Sequence, residues 1–213
     1  TLEFLLEQNI TISYIVSLND EQAKKWNVSG YCSFDKSSKK YNIPIYYPKS
    51  YSLKEKEDLD FFQHHSFDLL ILGGWQRLIP DDVLSTLKIG GVGVHGSSEM
   101  LPKGRGRSPV NWSLIEGKNR YILQLFLMTP GIDDGDILDF QTFDINKWDT
   151  CRTLYYKISI VQKQKLLELI PKLIKNEFKR IPQTGEPTFY PKRTPEDGLI
   201  NWNQTSEKLY DFI

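Results

Sequence analysis

His95 stands in the run Gly-Val-Gly-Val-His-Gly-Ser, and three carboxylates crowd the turn Gly131-Ile132-Asp133-Asp134-Gly135-Asp136-Ile137. An imidazole exchanges protons near neutral pH, and a carboxylate beside it can orient the ring and bias its charge. Each group also has a plainer reading. His95 could be a loop histidine with a structural hydrogen bond, and the aspartate turn a solvated turn or a divalent-cation site. The glycines beside Asp133 and Asp136 would let a flat ligand come close to the backbone. Between the two lies Leu101-Pro102-Lys103-Gly104-Arg105-Gly106-Arg107-Ser108-Pro109-Val110-Asn111-Trp112, a basic, Gly-rich loop. It lacks the Gly-Lys-Ser/Thr ending of a phosphate-binding P-loop. His64 and His65 close a helical pattern, where cationic side chains are favourable on simple dipole grounds.

The elements that must position these residues follow from periodicity. Residues 2–6 look like the last turns of a helix. Residues 10–16 read as a strand rich in β-branched side chains. Residues 19–41 have a loop composition, with Trp26, Tyr31 and Phe34 interspersed. A short strand is expected over 43–46, a helix over 53–64, and a buried strand over 68–73, where the apolar run is continuous. Residues 80–87 and 108–116 are helical, each with a proline near its first turn. Residues 92–95 form a strand end, and 121–128 and 137–143 two strands joined by a polar turn. Residues 150–176 make a long amphipathic helix, 182–194 a Pro/Gly/Thr-rich linker, and 206–212 a further helix. Strands alternating with helices predict an α/β fold, Rossmann-like, with a mostly parallel sheet and helices on both faces. Ligands of such sheets bind beyond the carboxyl ends of the strands, so His95 and Asp133 are expected on one rim. The expected organisation is a catalytic domain over 1–183, then a linker and the start of a C-terminal region over 184–213. Because the chain opens and closes inside amphipathic patterns, a missing first strand and a truncated C-terminal region are also expected.

Bulk properties narrow the class. The chain has 213 residues, 39% hydrophobic and 25% charged, with 27 basic and 27 acidic side chains. That balance gives no support to a nucleic-acid binder, which usually carries a basic excess. No apolar run is long enough for a bilayer span and no signal-peptide pattern opens the chain, so a cytoplasmic location is expected. Cys32 and Cys151 lack metal-ligand spacing and read as free thiols. No metal is expected.

The ordered set of motifs resembles the formyltransferases that use 10-formyltetrahydrofolate, a family that includes methionyl-tRNA formyltransferase and the sugar N-formyltransferases. The family pattern is Asn-x-His, then Leu-Pro-x-x-Arg-Gly-x-x-Pro-x-x-Trp, then Leu-Asp-x-Gly-x-Ile. This chain supplies His95, then Leu101, Pro102, Arg105, Gly106, Pro109 and Trp112, then Ile132, Asp133, Gly135 and Ile137. Gly74 to Pro80 resembles the family's folate loop, and Pro195 to Trp202 the linker toward a C-terminal domain. The resemblance implies formyl transfer to an amine, with His95 as acid/base and oxyanion partner and Asp133 as its carboxylate. One oxyanion donor typically contributes about 10²–10³ in rate. The pterin of the formyl donor is expected against Arg77, Leu78 and Ile79 on one side and Thr129, Gly131 and Asp133 on the other.

Two departures stand out. The family asparagine two positions before the histidine is Gly93, and the path from His95 to Leu101 is longer than usual. Gln124, in an otherwise apolar strand, is expected either to make a buried structural hydrogen bond or to bring its carboxamide above Gly93 as the replacement donor. Asn111 and Ser97 are lesser candidates. Lys103 and Arg105 suit an acceptor's phosphates, with a solvated basic loop as the alternative. Trp26 could stack on a nucleobase, with packing inside its own loop as the alternative. The favoured acceptor is a nucleotide-linked amino sugar of surface glycan synthesis, with no nucleic acid or membrane partner and a homodimer left open. The alternatives are a methionyl-tRNA formyltransferase and a catalytically impaired module that binds folate or a nucleotide sugar.

Overall fold

A computed structural model describes residues 1–213. In chain order the elements are α1 (Leu2–Glu7), β1 (Ile15–Val16), α2 (Asp20–Lys25), α3 (Asp35–Tyr41), β2 (Ile45–Tyr46), α4 (Lys56–His65), β3 (Leu69–Ile71), α5 (Asp81–Leu84), β4 (Gly90–Ser97), β5 (Arg105–Gly106), α6 (Pro109–Ile115), β6 (Arg120–Leu127), β7 (Ile137–Asp144), α7 (Cys151–Ile174), β8 (Phe189–Tyr190) and α8 (Ser206–Phe212). A four-stranded sheet in the order β3-β4-β6-β7 is flanked by two small parallel pairs, β1-β2 and β5-β8.

The α/β class stands, and the pairing is mixed. β1-β2 and β3-β4 are parallel, while β4-β6 and β6-β7 are antiparallel. The short connection between β6 and β7 enforces their antiparallel pairing, since a parallel return needs a crossover of a dozen residues or more.

Alternation along the strands sorts the side chains onto two faces. One face carries Val92 and Leu125 and is covered by α1 and α7, through Leu5, Leu166, Leu169, Ile170 and Leu173. The α7 residues recur at helical spacing, so one stripe of that helix meets the sheet. On the other face Leu70 and Leu72 pack with Phe62 of α4 and Val83 of α5. Helices therefore lie on both faces. The second face also carries Gly93, His95, Gln124 and Phe126, because Gly93 opposes Phe126 and His95 opposes Gln124 in the β4-β6 register.

Two stretches differ from expectation. Residues 19–41 contain the helices α2 and α3. Asn19 accepts from the Gln22 amide N–H at 2.8 Å, and the Gln22 side chain accepts from the Asn19 N–H at 3.0 Å. This reciprocal cap starts a helix that a mixed polar composition conceals. Residues 182–194 are not a free linker. They contain β8, which pairs with β5 inside the loop after β4. No helix is long and apolar enough to cross a membrane.

Candidate active site

β4 ends at the Gly-rich approach to the basic loop, and His95 lies near that end with only 7% of its surface exposed. Its Nε2 is 2.7 Å from the Gly104 carbonyl. A carbonyl only accepts, so Nε2 carries the hydrogen and donates it. Nδ1 is then the edge free for proton exchange, and it faces Asp133 Oδ2 at 3.4 Å.

Asp133 comes from the turn between β6 and β7. Its φ of +49° puts it in the left-handed region, which side chains other than Asn, Asp and Gly seldom occupy. The Gly106 amide N–H donates to Asp133 Oδ2 at 3.1 Å. Gly135 is required at its position, because a Cβ there would run into the Leu127 carbonyl. The carboxylates of the turn are dispersed rather than pooled. Asp134 accepts from the Thr129 hydroxyl, and no group of three His, Cys, Asp or Glu side chains is placed to hold a metal ion.

The two dyad residues thus rest on two peptide groups of one short loop. The Gly104 carbonyl holds His95, and the Gly106 N–H holds Asp133. Arg105 between them pairs with β8 through its backbone. Its Nη2 donates to Gln183 Oε1, and its Nε is buried without a partner. Arg105 is therefore engaged in part by the protein's own Gln183. Lys103 is exposed and lies 3.8 Å from Glu99, a surface pair. Trp26 stacks on Tyr51 at 5.7 Å and packs against the cluster of Leu18, Ala23 and Tyr51.

Gln124 is fully buried, and both ends of its amide are taken. Oε1 accepts from the Leu101 N–H at 2.9 Å, and Nε2 donates to the Glu99 carbonyl at 3.2 Å. The place above Gly93 is filled instead by the Phe126 ring, which a Cβ at 93 would strike. Gln124 as a replacement donor above Gly93 is thereby corrected: it ties the loop after β4 to β6. Ser97 bonds to the Glu99 backbone and Asn111 to Cys151, so neither lesser candidate is turned to the dyad.

The expected pterin contacts divide. Ile79 is 2% exposed, with its side chain in the core beside Leu53 and Val83, so its backbone alone can meet a ligand. Leu78 is exposed, and the Arg77 guanidinium lies 4.7 Å over the Tyr51 ring. Met128 packs both against the Ile79 cluster and against the Leu101–Phe126–Ile137 cluster. It thereby joins the loop holding Arg77 to the turn holding Thr129, Gly131 and Asp133.

Three positions that pack or bond around the dyad carry no clear signal in the sequence. Gln183 and Thr188 lie in the stretch taken for a linker, where the one local sign was the strand-like Thr188-Phe189-Tyr190. Phe126 is unremarkable until the register sets it against Gly93.

Residues 10–170 match the Formyl transferase family model. The bifunctional polymyxin resistance protein ArnA of Wigglesworthia glossinidia brevipalpis is 33% identical over 203 residues, which is 95% of this chain and 30% of that protein. Methionyl-tRNA formyltransferase of Enterococcus faecalis is 31% identical over 209 residues, 98% of this chain and 66% of that protein. The chain thus spans less than two thirds of the length of either relative. Among solved structures, the N-formyltransferase of Helicobacter canadensis, in complex with folinic acid and dTDP-3-aminofucose, superposes with a TM-score of 0.70 at 17% identity. That superposition covers 100% of this chain and 74% of the other.

Proposed function

Because the chain belongs to the formyl transferase family, we propose that it transfers a formyl group from 10-formyltetrahydrofolate to the amine of a nucleotide-linked amino sugar, in the cytoplasm, for surface glycan synthesis. The observation that carries the reading is the dyad. His95 has its Nε2–H held by Gly104 and turns Nδ1 toward Asp133 at 3.4 Å. In the reaction the acceptor nitrogen bonds to the formyl carbon while the bond from that carbon to N10 of the donor breaks. One proton passes from the amine to the departing N10. Nδ1 and the Asp133 carboxylate are the groups that carry it, and an N–H at Nδ1 donates to the oxygen that gains charge. Position 93 contributes no carboxamide, so the load on His95 is greater than in the family pattern.

A sugar acceptor is favoured over tRNA by residues 19–41. They fold into two short helices of mixed charge, with Asp20, Glu21 and Asp35 among the lysines. A nucleic-acid contact needs a concentrated basic surface. The test is formyl transfer from 10-formyltetrahydrofolate to dTDP- and UDP-linked amino sugars, with charged initiator tRNA in parallel. Turnover is expected with an amino-sugar nucleotide and is expected to fall by about 10²-fold or more in His95→Asn and Asp133→Asn. Turnover with the tRNA alone would overturn the acceptor. No transfer to any amine would leave a binding module.

A further inference from the structure

We propose that Gln183 is a positioning residue of the active site, and that residues 183–190 form a strap that sets the geometry of both dyad members. The inference rests on the formyl-transfer reading for its kinetic consequence and on geometry alone for its structural one.

Residues 181–189 are exposed except for Gln183, which is half-buried. All its amide capacity that the site can use is spent there. Nε2 donates to the Asp133 carbonyl at 2.8 Å and to the Gly135 carbonyl at 2.7 Å, and Oε1 accepts from Arg105. One side chain therefore spans the turn that carries the carboxylate and the loop that carries the histidine's partner. The strap continues in the same sense. Thr188 Oγ1 accepts from the Gly104 N–H at 2.8 Å, the Thr188 carbonyl accepts from the Arg105 N–H at 3.0 Å, and the Tyr190 carbonyl accepts from the Arg107 N–H at 3.0 Å. Ile181 exchanges both backbone bonds with Ile137, at 2.9 Å each, which anchors the start of the strap to β7.

The consequence is specific. The Gly104 carbonyl and Gly106 N–H that hold His95 and Asp133 belong to a loop whose Gly104, Arg105 and Arg107 N–H groups all donate to the strap. The left-handed Asp133 is braced from behind by Gln183 through its carbonyl. Rigid support of this kind is what keeps reacting groups within the narrow tolerance that catalysis demands.

The experiment compares wild type, Gln183→Ala and Gln183→Glu. Glutamate keeps the size and the acceptor for Arg105 but loses both donors to the Asp133 and Gly135 carbonyls. Three quantities are measured: kcat and KM for donor and acceptor, melting temperature, and the ring-nitrogen NMR shifts of His95. Both variants are expected to melt close to wild type and to keep KM. They are expected to lose about ten- to a hundredfold in kcat, with the His95 ring shifts displaced. If Gln183→Ala fails to fold, Gln183→Glu carries the test. Wild-type kcat in the folded variants, or a fall in kcat with the His95 shifts unmoved, would overturn the positioning role. Displaced His95 shifts in a protein whose wild type transfers no formyl group would uphold the strap and remove the enzymatic reading.

Discussion

Gly93 of β4 and Phe126 of β6 are register partners, and the Phe126 ring fills the space that any side chain at 93 would need. The glycine is thus one half of a packed pair. One register pair further along the same face, His95 stands against Gln124. The two pairs divide the face between packing and chemistry.

Gly93→Asn is expected to destabilise the protein by about 1–3 kcal/mol through overpacking, measured as a lower urea midpoint. Adding Phe126→Val should restore most of that loss, giving a coupling of opposite sign to the single effects in a double-mutant cycle. Additive losses would mean that the ring and position 93 do not share the space.

Gln124→Ala leaves the Leu101 N–H without its partner and the Glu99 carbonyl with the Ser97 hydroxyl alone. The expected cost is about 1–3 kcal/mol in unfolding free energy. Because the Gln124 amide bonds to the loop and not to the dyad, its variant should lose less turnover than His95→Asn. Equal losses in the two variants would return Gln124 to the reacting centre.

Asp149 ties the start of α7. Burial by itself would push its carboxyl up, but the Lys157 ammonium, the Asn146 N–H and the Thr153 hydroxyl together hold it below the usual carboxylate range. A carboxyl depressed in the folded state contributes stability that is complete above its unfolded value, about 3.9, and that fades as pH falls through the folded value. Asp149→Asn is therefore expected to lower the melting temperature at neutral pH and to flatten the acid limb of the stability profile. An acid limb as steep as in wild type would show that Asp149 does not shape it.

Asp58 is fully buried and accepts from the Lys49 N–H at 2.7 Å, the Ser50 N–H at 3.0 Å and the Tyr46 hydroxyl at 2.8 Å. Asp58→Ala orphans the Lys49 and Ser50 N–H groups and leaves the Tyr46 hydroxyl only the Glu57 carbonyl at 3.3 Å, at an expected cost of about 3–5 kcal/mol. Burial first, and the Asp58 carboxylate second, push the Tyr46 phenol well above its usual range. Ultraviolet titration of Asp58→Asn should find Tyr46 ionising at lower pH than in wild type.

His95, Asp133 and the loop between them could be singled out in the sequence because each lies in a short motif read within one window, although His95 stands inside β4 and not past its end. The strands and α7 were legible for a similar reason, since period-two and helical patterns are read within one window. What was not legible depends on partners distant in the chain. Nothing near Gly93 announces Phe126, and nothing near Gln183 announces Asp133 or Arg105. The α2 helix was hidden differently. Its signature is the Asn19–Gln22 cap, set in a stretch whose mixed charge and aromatics read as loop.

The parallel pairing of β5 with β8 joins residues 105–106 to 189–190. During synthesis the dyad and everything between its members leave the ribosome well before Thr188 and Tyr190 do. A nascent chain therefore holds both His95 and Asp133, with most of the sheet beneath them, before the peptide groups of residues 104–106 have their partners in 188–190. The order of translation makes the geometry of this site a feature that is completed only after the sheet beneath it.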